Sequence, residues 1–367
     1  MKGSNLRGDE RMNGTVTYFY GRALTGQGEK QLYRELMEEA REVIFFVGAF
    51  GVQASKLLRD LGYFFVRQGE DIEWFLDPLQ EDIVEALFVR ELGMLYIHDK
   101  EGMPRPKYIG SSHQVVSFYE CYHEEKIGES GERLLELTTQ SRVWREKVFA
   151  MMEIAKDLHD EWEIINQQGM DWGALDDYRQ RLETELFGTL KLRKEGRITH
   201  RLLGTLTPLG ARDTVQNMTK DLEKRLFIKG YPGTGKSSFM KGIAVAAMER
   251  GFEARLVWCG LDSNSVDMII VPELSFCIFD STEPHLYFPE DNREGDEIID
   301  IAQYCKLTDK QEEQATKVAS AYKEAIILAK SYVQQYAERI VQERKIFDDA
   351  VNKSAWDQRA AHLFKKV

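Results

Sequence analysis

The stretch Gly230-Tyr231-Pro232-Gly233-Thr234-Gly235-Lys236-Ser237 spells GxxxxGK[ST], a spacing whose chemistry is phosphate binding. Glycines at 230, 233 and 235 let the backbone curl so that successive N–H groups point at phosphate oxygens. A helix starting near Lys236 and running through Ser238 adds the positive end of its dipole. Lys236 then reaches the β- and γ-phosphates, and the Ser237 hydroxyl completes the shell of a Mg2+ ion. A glycine turn matching by chance would not need its flanks to agree. Here an apolar run, Leu226 to Ile228, precedes the loop as a strand, and Ser238 to Met248 follows as a helix.

Such a loop needs an acidic partner for the metal at the end of a neighbouring strand. Asp280 stands directly after the apolar run Phe276 to Phe279 and is the expected ligand. Ser281 comes next, so the adjacent Asp-Glu pair in which Glu activates water is absent. Two further loops fall at strand ends, where open α/β sheets bind ligands: CGLDSNSVD carries Asp262, Ser263 and Asp267, and STEPH carries Thr282, Glu283 and His285. Asp262 is the candidate for orienting a water or an acceptor hydroxyl, although turns also favour Asp and Ser for local reasons. Arg339 and Arg344 read as solvated helix charges rather than as cationic helpers for a transferred phosphoryl group.

The elements that must position these groups occur twice. Shifted by 182 positions, residues 16 to 103 align without a gap on residues 198 to 285, with fifteen identities in 88 positions. That number alone decides little, but the identities include the loop pairs Gly48/Gly230, Gly51/Gly233 and Ser55/Ser237, where backbone conformation restricts residue choice. The chain reads as a duplication, with units at 15–190 and 198–367 joined by the basic linker 191–197. In each, a short apolar segment (Val16 to Leu24, Ile198 to Leu206) and a helix lead to the strand before the glycine loop. A helix and two further strands follow, Ile72 to Leu76 and Met94 to Ile97 in the first unit, Ala254 to Trp258 and Phe276 to Phe279 in the second. The pattern predicts α/β architecture: two tandem three-layer units of the P-loop NTPase kind with parallel sheets, each followed by long amphipathic helices over about 130–187 and 307–364.

The first loop, Gly48-Ala-Phe-Gly-Val-Gln-Ala-Ser55, has Gln53 and Ala54 where the second has Gly235 and Lys236, and His98 stands where Asp280 stands. Three chemical losses predict a unit without catalysis, left with at most a helix N-terminus for an anion.

The balance of 49 Lys and Arg against 61 Asp and Glu gives a net charge of -12, which argues against broad attraction to nucleic acid or anionic membrane. Cys121, Cys259, Cys277 and Cys305 form no CxxC pair and suit reduced thiols. The N-terminus is polar, and no apolar run approaches the roughly 20 residues that span a bilayer, so the chain reads as cytoplasmic.

HRLLGTLTPLG, GYPGTGKS, GLDSNSVDMIIVPEL and DSTEPH together resemble a family of uncharacterised bacterial P-loop ATPases built from two tandem nucleotide-binding units. In that family a TPxG element, the Walker loop, an SxDxxSxD segment with a following proline and a DGTxPH turn recur. Thr207 to Gly210, Asp262 to Asp267, Pro272 and Asp280 to His285 occupy those positions here. Ser281 replaces the turn glycine, Leu261 a small polar residue, and the first unit lacks the loop lysine. The resemblance implies nucleotide binding and hydrolysis, with no substrate attached. The expectation is an ATP- and Mg2+-dependent ATPase with one competent site. A small-molecule kinase using Asp262, and a nucleotide-gated protein meeting a partner through its helical extensions, remain open beside it.

Overall fold

The computed structural model describes residues 14–98 and 103–365; the polar N-terminal stretch and Glu101, the repeat partner of Glu283, lie outside them. The first half comprises β1 (Val16–Tyr20), β2 (Arg22–Thr25), β3 (Gly28–Gln31), α1 (Tyr33–Glu39), β4 (Glu42–Val47), α2 (Gly51–Arg67), β5 (Ile72–Leu76), β6 (Val84–Val89), β7 (Met94–His98) and β8 (His113–Ser117). The helices α3 (Glu124–Glu129), α4 (Gly131–Gln167) and α5 (Trp172–Phe187) follow. The second half comprises β9 (Arg197–Leu202), β10 (Gly204–Thr207), β11 (Gly210–Asp213), α6 (Val215–Thr219), β12 (Lys224–Lys229), α7 (Lys236–Glu249), β13 (Glu253–Trp258), β14 (Val266–Val271), β15 (Phe276–Asp280) and β16 (Asp296–Asp300). It ends in α8 (Asp309–Asp349) and α9 (Lys353–Phe364). The repeat is visible in the element bounds: β4 and β12 start 224 − 42 = 182 residues apart, and β6 and β14 start 266 − 84 = 182 apart.

The expected pair of parallel sheets is instead one mixed sheet of twelve strands, ordered β16-β12-β15-β14-β13-β9-β1-β5-β6-β7-β4-β8. β6 and β14, absent from the sequence expectation, run antiparallel to both of their neighbours. The halves join through an antiparallel contact of β1 and β9 at Tyr20 and Leu202, themselves 202 − 20 = 182 residues apart, as a two-fold relation between the halves requires. The apolar segments Val16 to Leu24 and Ile198 to Leu206 do not run as single strands. Each gives one strand to the large sheet and then turns into a small hairpin, β2 with β3 and β10 with β11.

Alternation along β12 sends Leu226 and Ile228 to the core beneath α7 and Phe227 to a core shared by both halves, where Phe19, Phe75 and Phe88 join Leu203, Val257 and Met268. Beside that core lies a buried ion network. The Glu73 carboxylate accepts from Arg201 Nε (2.7 Å) and Arg90 (3.2 Å), Arg90 also donates to Glu253 (2.7 Å), and Arg201 reaches Glu39 (2.7 Å). Burial alone would raise the Glu73 carboxyl, but Arg201, Arg90 and Arg255 outweigh it and bring it down to about 2.

The long helices are exchanged between halves. α5, at the end of the first half, packs Leu175, Leu182 and Phe187 into the core beneath α7, whereas α9 packs Trp356 and Leu363 beside α2. Each such buried side chain contributes roughly 1.5–3 kcal/mol, so neither half keeps its core without the other's helices. α4 and α8, about 55 and 60 Å long at 1.5 Å per residue, lie antiparallel. Arg133 meets Gln342 near one end and Gln168 meets Gln311 near the other. Local capping sets where these helices begin: Thr308 and Gln311 form a capping box on α8, and Asp171 and Asn352 cap α5 and α9. Among the described residues no helix is long and apolar enough to cross a membrane.

Candidate functional site

Gly233 and Gly235 adopt φ of 80° and 86°, left-handed values that curl the loop ahead of α7. No protein acceptor among the described residues takes the amides of Gly233, Gly235, Lys236 or Ser237. Thr234 is buried and its hydroxyl donates to Tyr231 O (2.7 Å), locking the turn from within. Lys236 folds back over the loop, donating to Gly230 O and to Tyr231 O (3.1 Å), with its ammonium 3.4 Å from Asp280 Oδ2. Asp280 is brought there because β15 pairs directly with β12, with Asp280 opposite Ile228. The predicted lysine, serine and acid therefore converge.

Ser237 also ties α7 to the sheet. Its Oγ accepts from Val266 N (2.9 Å), and Ser55 Oγ accepts from Val84 N (2.8 Å), the same bond 182 residues earlier. The serine kept in the first loop thus ties its helix to the antiparallel strand, not merely to a turn.

A cavity of about 460 Å³ opens over the loop. Tyr231, Pro232, Ser238, Asp262, Asp267 and Asp280 all line it, as the strand-end positions predict. Asp262 Oδ1 accepts from Asn264 N (2.9 Å) within its own turn, and Oδ2 lies 3.8 Å from Lys156 Nζ. Behind them, His285 Nδ1 is 2.8 Å from Asp213 Oδ2, its Nε2 is 3.8 Å from Asp267 Oδ2, and Tyr287 donates to Asp213 Oδ1 (2.7 Å). Burial disfavours the His285 cation, yet the bond to Asp213 and the charges of Asp267 and Asp213 outweigh it and raise its pKa. Burial raises the Asp267 carboxyl, with His285 opposing.

The other wall escaped sequence reasoning, because it belongs to the first half. Lys156, His159 and Glu163 of α4 and Trp172 of α5 line the cavity, with Tyr322 of α8 beside them. A Cβ on Gly233 would stand 2.3 Å from Glu163 O, so glycine there also admits α4. Asn166 at the end of α4 donates to Pro232 O (2.8 Å). His159, Asp160 and Glu163 offer ligand atoms within 4.8 Å of one another, a second place where a cation could sit. The signal for this wall was only the helical character of 130–187; which half it covers is set by packing.

The first loop is built differently. Gln53 does not take the left-handed conformation of Gly235, and α2 starts at Gly51, 54 − 51 = 3 residues before the position equivalent to Lys236. The Asp348 carboxylate of α8 accepts from Val52 N (2.9 Å) and Gln53 N (3.3 Å), the amides equivalent to those of Thr234 and Gly235. Glu85, the counterpart of Asp267, is bound by Arg22 (2.8 Å), which also reaches Asp77 (3.3 Å). Arg344 joins this group at Asp77 and Gln80, and Arg339 bonds Gln335 and Gln140, so neither arginine serves the second cavity.

No protein-family model, no curated protein and no solved structure matches this chain.

Proposed function

We propose that the loop 230–237 binds the polyphosphate of a nucleoside triphosphate together with Mg2+, and that the protein is an ATPase with one working site. The chain is then a fused pair of P-loop units, the first of them degenerate. The observation that carries the reading is the contrast between the loops. In the first, a carboxylate already sits on the amides of Val52 and Gln53, so this backbone attracts an anion. In the second, the equivalent turn is held open by Gly233 and Gly235 and has a lysine beside it.

Lys236 leaves Gly230 O and Tyr231 O to neutralise the terminal phosphates. Ser237 and Asp280, which line the same cavity, would hold a Mg2+ ion, and the ion would supply positive charge to the phosphates. Asp262 and Asp267 line the same cavity as the loop, together with residues of α4 and α8, and in this reading they orient the attacking water.

The test is Mg2+-dependent phosphate release from ATP by the wild type and by Lys236→Ala. Release abolished in the variant supports the reading; equal release in both overturns it. One observation favours a second reading, in which binding alone gates a surface: α8 lines the cavity with Tyr322 and holds the first loop with Asp348. Nucleotide binding without turnover would favour it.

A further inference from the structure

We propose that Trp172 is the platform on which the base of the nucleotide stacks, so that the site takes purine nucleotides rather than bare polyphosphate. The inference rests on the phosphate site proposed above and extends it to the other end of the ligand. A loop of this kind has polarity: lysine marks the terminal phosphates, and the nucleoside leaves from the opposite end. Asp280 lies 3.4 Å from Lys236 and stands on β15, which flanks β12 on one side. The nucleoside must therefore leave toward the other flank of β12, which is β16.

Trp172 stands there. It is the first residue of α5, and that helix is anchored to the segment following β16, with Asp171 N donating to Tyr304 O (2.8 Å). The indole lies against the loop itself, since a Cβ on Gly235 would come within 2.9 Å of Trp172 Cζ3. Tryptophan ordinarily hides most of its surface, yet this one is 47% exposed while lining the cavity. A half-exposed indole beside a phosphate loop suits a base, because every base has a π-face to stack.

The first half supplies an internal control. There the corresponding helix α9 is capped by Asn352, as α5 is by Asp171, but begins with Lys353, so the aromatic is missing where the loop lysine is missing. Phe50 of that loop packs instead on Phe347, at 4.4 Å between ring centroids. A tryptophan at the start of α5 is thus no requirement of the shared fold.

Stacking reads the area of the ring rather than its edge, which sets the order of ligands. The test uses ligands that cannot turn over: calorimetric titration of ADP, GDP, CDP and pyrophosphate, each with Mg2+, into the wild type, Trp172→Ala and Trp172→Phe. ADP and GDP are expected to bind the wild type within about 5-fold of each other, CDP more weakly, and pyrophosphate weaker than ADP by about 10- to 100-fold. Trp172→Ala should bring ADP down to the level of pyrophosphate while leaving pyrophosphate unchanged, which also shows the variant is folded. Trp172→Phe should restore most of the ADP affinity. Equal affinity of the wild type for ADP and pyrophosphate, or unchanged ADP affinity in Trp172→Ala, overturns the inference and leaves the phosphate site standing. Absence of binding by both ligands overturns the phosphate site and this inference with it.

Discussion

The carboxylate of Asp348 lies on the backbone N–H of Val52 at 2.9 Å, so the last turn of the second half's long helix fills the anion position of the first half's loop. Those amides are already bonded to a carboxylate of the chain itself. Asp348→Ala removes a cap from α2, and the expected cost is about 1 kcal/mol of stability. Urea denaturation with and without phosphate checks it: added phosphate should recover more stability in the variant than in the wild type, because only the variant leaves those amides open.

Ser55 and Ser237 make the same bond, to Val84 N and Val266 N, but only Ser237 sits beside Lys236 and Asp280. Replacing either by alanine strands a buried amide and should cost about 1–3 kcal/mol. Ser237→Ala should in addition lose the Mg2+ dependence of nucleotide binding, whereas Ser55→Ala should bind nucleotide as the wild type does. Denaturation and metal-dependent titration of the two variants separate the shared role from the particular one.

Much of this arrangement was legible in the sequence, and the reason is local. The glycines of the loop, the apolar runs before Lys236 and Asp280, and the 182-residue repeat each leave a mark within a short window, and the corresponding elements form where expected. β6 and β14 were missed because their apolar runs sit next to loops already assigned to strand ends, and an antiparallel insertion leaves no mark distinguishing it. The exchange of helices was invisible for a stronger reason. Leu175 packs beneath α7, on the other half of the chain, and no local pattern encodes a partner so far away in sequence. Lys156, Glu163 and Trp172 were therefore not candidates, although they line the same cavity as the loop 230–237.

The ion network at the joint gives an acid limit. Glu73 and Glu253 are both brought down to about 2 by arginines, so their stabilisation is complete above the unfolded carboxyl range near 4.3 and is lost as pH falls from there toward 2. Circular dichroism between pH 6 and pH 2 should show cooperative loss of structure in that window. Glu73→Gln, which takes from the fully buried Arg201 one of its two carboxylate partners, should lower stability by about 3–5 kcal/mol at pH 7 and flatten the acid transition.

His285 and Asp213 set a second pH dependence of opposite sign. The raised imidazole contributes stability that is full below its unfolded value near 6.5 and is lost as pH rises through its folded value. Asp213 is lowered: burial opposes this, but the bond from His285 prevails, so its share is lost only as pH falls below about 4. The difference in unfolding free energy between the wild type and Asp213→Asn should therefore be larger at pH 5.5 than at pH 8.5. An equal difference at both values would mean that His285 is neutral in the folded chain.

The asymmetry of the two loops is the central claim, and calorimetric titration of ATP with Mg2+ tests it most directly. The expected result is one site per chain in the wild type and none in Lys236→Ala, with Asp348 keeping the first loop closed in both. Two high-affinity sites per chain, or unchanged binding in Lys236→Ala, would contradict it.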